Sequence, residues 1–187
     1  MRYELCEFMP KILKILTLPA ESLRQKSEVV DEKRIGKKEF EQLNADLIET
    51  MLKKEGIGLA APQIGKNIRL IVVNTKKGPI LLFNPKIIQR SWQKEWGEEG
   101  CLSVPLVFGD VRRHKKITCV FCNRAGAKDK IKASGLLARV IQHEIDHLDG
   151  ILFIDKAKNL KKLDEEEKEI GKLENWKIGK LEFTNTG

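Results

Sequence analysis

The stretch Gln142-His143-Glu144-Ile145-Asp146-His147 decides the reading of this chain, because spacing, residue type and expected backbone agree there. His143 and His147 are four residues apart, and on a helix residues i and i+4 lie one above the other on the same face. Two imidazoles so placed can grip one metal ion, with Glu144 beside them to move protons. The flanks predict a helix. Leu137, Ile141, Ile145 and Leu148 recur at helical spacing as one apolar stripe, and Leu136, Val140, His143 and His147 share a neighbouring face. Gly135 opens the run and Asp149-Gly150 is a stop signal.

Working outward, the chain reads as one globular unit with an appendage. It has 187 residues, 41% hydrophobic and 33% charged, enough to bury a core and too apolar for disorder. Lys37–Lys54 predicts an amphipathic helix with Phe40, Leu43, Leu47, Ile48, Met51 and Leu52 on one side, ended by Gly56 and Gly58. Gly56 to Gly65 is built of small, uncharged residues around one polar side chain, Gln63, which lets backbone approach backbone or ligand. Ile68–Asn74 reads as a buried strand. Ile80–Phe83 reads as a second, closed by Asn84-Pro85, and Lys86–Trp96 as a third. Ile117–Cys122 and Lys128–Ala133 predict a hairpin turning at 123–127. Leu160–Ile170 reads as a charged surface helix. Strands in mid-chain with helices at either end predict an α+β fold, its mixed or antiparallel strands packed around the histidine helix, with an N-terminal amphipathic helix and a C-terminal extension.

Composition excludes several classes. No apolar run approaches the roughly 20 residues that span a bilayer, and Met1–Lys11 lacks the apolar run of a signal peptide. Four cysteines are too few for a disulfide scaffold at this size, so the expectation is a soluble cytoplasmic protein with free thiols. The net charge of +8 is concentrated: residues 111–139 hold nine Lys or Arg against Asp129 alone. Such a surface suits an acidic partner such as RNA, or serves as a solvated face; no aromatics interleave the charges for base stacking.

Two histidines make half of a metal site, and a catalytic centre usually has three protein ligands. His114 lies in a basic stretch expected at the surface. No histidine follows His147, and the glutamates at 165–167 and 169 sit in a charge run. Cys101, in Glu99-Gly100-Cys101-Leu102-Ser103, is the remaining candidate, although a lone cysteine is more often a small buried hydrophobe. Cys119 and Cys122 form a CxxC inside an alternating strand without a second pair.

Three segments taken together are more specific than any one. Gly56-Ile57-Gly58-Leu59-Ala60-Ala61-Pro62-Gln63, Glu99-Gly100-Cys101-Leu102-Ser103 and Gln142 to His147 resemble, in order, the three motifs of the peptide deformylase family. The resemblance extends from Ile15-Leu16-Thr17 and Leu23-Arg24 to Gly150 and Phe153, giving an expected catalytic domain over 10–155 and an extension over 156–187. It implies removal of the formyl group from N-formylmethionyl nascent polypeptides, with release of formate. It implies one divalent ion, Fe²⁺ with Zn²⁺ or Ni²⁺ as substitutes, held by Cys101, His143 and His147. Glu144 would carry protons, and the Gln63 amide and Leu102 N–H would face the formyl oxygen. Ile57, Gly58 and Gly100 would meet an extended peptide, and Leu136 and Val140 are candidates for a methionine pocket. Expected partners are the nascent chain and the ribosome, with neither DNA nor membrane, and the protein is expected to be a monomer. Two rivals stand beside this reading: a metallopeptidase using the same helix, which needs a downstream third ligand, and a basic ribosome- or RNA-binding protein on the same scaffold.

Overall fold

The computed structural model describes residues 9–164. Among the described residues, two antiparallel sheets and two α-helices make up the fold. α1 (Lys38–Lys53) precedes β1 (Gly58–Ala60), β2 (Leu70–Thr75), β3 (Gly78–Arg90), β4 (Lys94–Cys101), β5 (Val104–His114), β6 (Lys116–Cys122) and β7 (Lys128–Ser134). α2 (Gly135–Leu148) and β8 (Lys158–Lys162) follow. One sheet has the order β1-β2-β3-β6-β7 and the other β4-β5-β8.

Strand β2 shows why its sequence is apolar without interruption. Leu70 and Val72 point to the side where Phe40, Leu47 and Met51 of α1 pack. Ile71 and Val73 point to the opposite side, against Ala138, Val140, Ile141 and Leu148 of α2. A strand covered on both faces needs no polar alternation. The stripe expected on α2 is on this second interface, while its other side meets the three-stranded sheet through Arg139 and Gln142. A third cluster, Val104, Val111, Leu152 and Phe153, closes the second sheet over the turn that follows α2. That turn needs Gly150, which takes a left-handed φ of +73° against the backbone of Arg24.

Three expectations need correction. The strand beginning at Ile80 does not stop at Asn84-Pro85; β3 runs through it. Asn84 adopts φ +50°, the register with β6 shifts between Phe83 and Lys86, and the Asn84 amide bonds both the N–H and the C=O of Val30. The pair therefore forms a bulge rather than a turn, and a bulge is where a sheet tolerates proline. Residues 86–96 are not one strand: they are split between β3 and β4 by a bend at Ser91-Trp92. The chain after 155 does not begin as a charged helix either. Lys158–Lys162 pairs with Val107–Asp110 of β5, so the exposed lysines line an edge strand, where such charge is common. Residues 165–170 of that expected helix lie outside the described residues.

Candidate metal centre

Three separate pieces of chain converge on one spot. α2 supplies His143, Glu144 and His147; the end of β4 supplies Glu99 and Cys101; the tight turn of Ala61–Ile64 after β1 supplies Gln63. Cys101 sits where β4 leaves its regular register, just before the turn at Leu102-Ser103 that leads into β5. Its sulfur lies 3.2 Å from His147 Nε2, and the donor atoms of Cys101, His143 and His147 all lie within 4.8 Å of one another. The two imidazole rings meet edge to face at 5.0 Å, and Phe153 stacks on His143. The third donor is therefore upstream of the helix, and His114 is not part of the cluster. It is half-buried at the end of β5, with Nδ1 at 2.6 Å from the Ser91 carbonyl.

Of the two imidazoles, His143 is held from behind, whereas His147 Nδ1 has no hydrogen-bond partner among the described residues. His143 Nδ1 lies 2.9 Å from Glu99 Oε2, which turns Nε2 toward the other donors. Glu99 is itself gripped by Arg113, whose Nε and Nη2 donate to its two oxygens at 2.9 Å each, and by Arg139 at 2.8 Å. Arg113 also binds Asp146, which holds the Lys156 ammonium at 2.6 Å. Burial pushes the Glu99 carboxyl up, but its bonds to His143 and Arg113 outweigh that and hold it at about 2. Burial likewise pulls the His143 imidazole down, yet bonds to Cys101 and Glu99 raise it to about 10 in the metal-free protein. Burial and the neighbouring His143 charge hold His147 well below its ordinary value, which keeps it a neutral donor.

Glu144 is buried beside these donors. It is 4% exposed, its Oε2 has no protein partner among the described residues, and burial pushes its carboxyl up to about 7. Gly58 makes room for it: a Cβ there would stand 2.5 Å from Glu144 Oε1 and 2.8 Å from Val140 Cγ1. The Gln63 amide is oriented by the Ala60 N–H, which donates to its Oε1 at 2.8 Å. Its NH₂ group then donates to Ser103 Oγ at 3.1 Å and reaches Cys101 Sγ at 3.5 Å. The Ser103 N–H also points at that sulfur, at 3.4 Å. A thiol, two imidazoles and a buried carboxyl with a free oxygen suit a divalent ion and its water.

The remaining expected residues are placed less uniformly. Val140 is buried beside Gly58, whereas Leu136 is 57% exposed at the start of α2 and Ile57 51% exposed before β1. Leu102 occupies the turn after Cys101, its side chain against Gly56. The space left at Gly100 is filled by the Phe108 ring, 2.7 Å from where its Cβ would stand. Cys119 and Cys122 are three apart on β6 and join the clusters on opposite faces, so they form no pair. Cys6 lies outside the described residues. Arg113 and Arg139, counted among the basic residues of 111–139, are buried in the ion-pair network and not on a basic surface. Sequence reading missed Glu99, Arg113, Arg139 and Asp146 as supports. The available signal was alternation in β5, where Arg112 faces out and Arg113 in.

An α+β fold of antiparallel sheets that gathers these donors beside a buried carboxyl defines a class, the metal-dependent hydrolases. A family model described as polypeptide deformylase matches residues 12–163. A peptide deformylase of Symbiobacterium thermophilum is 46% identical over 162 residues, covering 84% of this chain and 72% of that protein. One from Halothermothrix orenii is 48% identical over 148 residues, covering 78% of this chain and 94% of that protein. Among solved structures, a peptide deformylase from Synechococcus elongatus in complex with actinonin superposes with a TM-score of 0.75 at 39% identity, over 82% of this chain and 83% of that one. The peptide deformylase of Thermotoga maritima gives 0.75 at 34% identity, over 79% and 99%. The chain belongs to the polypeptide deformylase family.

Proposed function

We infer that this chain is a metal-dependent hydrolase that removes the formyl group from the N-terminal formylmethionine of newly synthesised polypeptides and releases formate. Family membership supports the reaction. The observation in the site that carries it is the gathering of the Cys101, His143 and His147 donor atoms within 4.8 Å of one another, with the buried Glu144 carboxyl next to His143 on α2. An upstream cysteine as third donor does not suit a metallopeptidase that draws its third ligand from downstream.

Cys101, as thiolate, would hold the ion with the Nε2 atoms of His143 and His147. The ion supplies Lewis acidity, which makes water more acidic and a carbonyl more electrophilic. Fe²⁺ is the proposed physiological ion, with Zn²⁺ or Ni²⁺ able to replace it. Glu144 Oε2 takes a proton from the attacking water and delivers it to the amide nitrogen as the C–N bond breaks. A carboxyl near neutrality suits both duties, since it must accept and then release within one turnover. The Gln63 NH₂ and the Leu102 N–H are the proposed donors to the formyl oxygen as charge grows on it. Ile57 and Gly58 offer backbone to an extended peptide, Gly100 borders it, and Val140, with Leu136 at the rim, lines the methionine side chain.

The catalytic domain is assigned to 10–155 and the extension to 156–187, with β8 joined to the second sheet. We assign the protein to the cytoplasm as a monomer with nascent chains as substrate and the ribosome as a candidate partner. Among the described residues no helix is long and apolar enough to cross a membrane. The deciding experiment is anaerobic formate release from a formyl-Met-Ala peptide by iron-loaded protein, with Cys101→Ala alongside. Release by the native chain that vanishes with its metal in Cys101→Ala is expected. A native chain that retains its ion and fold yet yields no formate would overturn the assignment.

A further inference from the structure

We propose that Arg139 is a positioning residue for the metal donors, a clamp that sets how tightly the site holds its ion. The inference rests on the metal reading above and adds a residue to it that touches neither donor nor substrate. Arg139 lies on α2 one turn before His143, and is almost wholly buried. Its guanidinium spans the gap between the helix and the second sheet. Nη1 donates to Glu99 Oε1 at 2.8 Å, to the Val111 carbonyl at 2.8 Å and to the Gly97 carbonyl at 3.2 Å; Nη2 donates to the Glu95 carbonyl at 3.2 Å.

These contacts link the donors by two routes. Through Glu99, Arg139 completes a saturated carboxylate: Oε1 accepts from Arg139 and Arg113 Nε, while Oε2 accepts from Arg113 Nη2 and faces His143 Nδ1. A carboxylate with every direction taken cannot rotate, so His143 is fixed in ring orientation and tautomer. Through Glu95 and Gly97, the same side chain grips β4 six and four residues before Cys101, and through Val111 it grips β5. The cysteine strand and the histidine helix are thus held together by one planar cation whose donors point in fixed directions. The sheet is shaped for it. A Cβ at Gly97 would stand 2.7 Å from Arg139 Nη2, so only glycine lets the guanidinium sit against β4.

A buried ion pair could instead serve stability alone, and the test is chosen to separate the two roles. The full chain, wild type and Arg139→Met, Arg139→Lys, Gly97→Ala and Cys101→Ala, is loaded with Co²⁺ as a spectroscopic probe. Dissociation constants are read by chelator competition and donor geometry from the visible spectrum, with circular dichroism confirming the fold. Supports behind metal ligands are typically worth about 10–100-fold in affinity. Arg139→Met and Gly97→Ala should weaken Co²⁺ by that order and shift the ligand-field bands, and Arg139→Lys should fall between. If Arg139→Met lowers only the melting temperature and keeps the native spectrum and affinity, the clamp is overturned. Should Arg139→Met not fold, Gly97→Ala, which keeps the arginine and displaces its head, decides by the same criteria. If wild type and Cys101→Ala bind Co²⁺ alike, without a thiolate band, the metal reading itself fails and the clamp with it.

Discussion

Glu144 and Gly58 form one device, in which a carboxyl is buried against backbone so closely that its neighbour must lack a side chain. Glu144→Gln keeps the size of the group and would abolish the proton transfer proposed for it. We expect kcat to fall by about 10²–10⁴-fold with metal content unchanged, checked by formate release alongside metal analysis. Gly58→Ala acts from the other side. Its Cβ would stand 2.5 Å from Glu144 Oε1, so the carboxyl must swing away from its position beside the glycine. Displacement of a reacting group by about 1 Å can cost about 10²-fold in rate. The expectation is a loss of that order in kcat with bound metal at the native level. Full activity in the Gly58→Ala enzyme would show that Glu144 does not need the position it occupies beside the glycine.

At the level of elements, legibility followed how local the signal was. α1, α2 and the β6–β7 hairpin are announced by apolar periodicity and β2 by an unbroken apolar run, all within a dozen or so residues, and they form within a residue or two of their expected ends. β3 was not, because its continuity depends on a contact 54 residues away, between Asn84 and Val30. β8 escaped for a similar reason: five exposed residues become a strand only because β5 offers an open edge. The site divides the same way. Its three donors and Glu144 lie in recognisable segments, whereas Arg113, Arg139 and Asp146 acquire meaning only when α2 packs on β5. The bulge makes this testable. Asn84→Ala removes two bonds to the buried Val30 backbone and places alanine at φ +50°, a conformation asparagine tolerates better, so a loss of about 2–4 kcal/mol is expected in denaturant unfolding. Activity per folded molecule should be unchanged, since β3 supplies no group to the site.

Across the whole molecule, the Glu99 network ties α2 to β4 and β5 of the three-stranded sheet, and its charge balance should be visible as a dependence of stability on pH. In the metal-free protein, Glu99 titrates at about 2 against an ordinary 4.5. A carboxyl depressed by folding contributes stability that is present above about 4.5 and lost as pH falls through about 2. His143, raised from 6.5 to about 10 in part by Glu99, works in the opposite direction: its contribution is present below about 6.5 and lost as pH rises through about 10. Glu99→Gln removes the first contribution and the part of the second that Glu99 supplies, leaving the part due to Cys101. The stability gap between native and variant proteins should therefore be widest between about pH 4.5 and 6.5 and narrow toward either extreme. Urea unfolding of the two metal-free proteins across pH 2–10 measures that gap directly. A gap that stays constant over the range would mean that Glu99 acts by packing rather than by charge. With the ion bound, the proton on His143 is displaced, so the alkaline narrowing should disappear while the acid side stays. The same pair of titrations, with and without Co²⁺, thus separates the carboxylate's hold on the fold from its hold on the histidine.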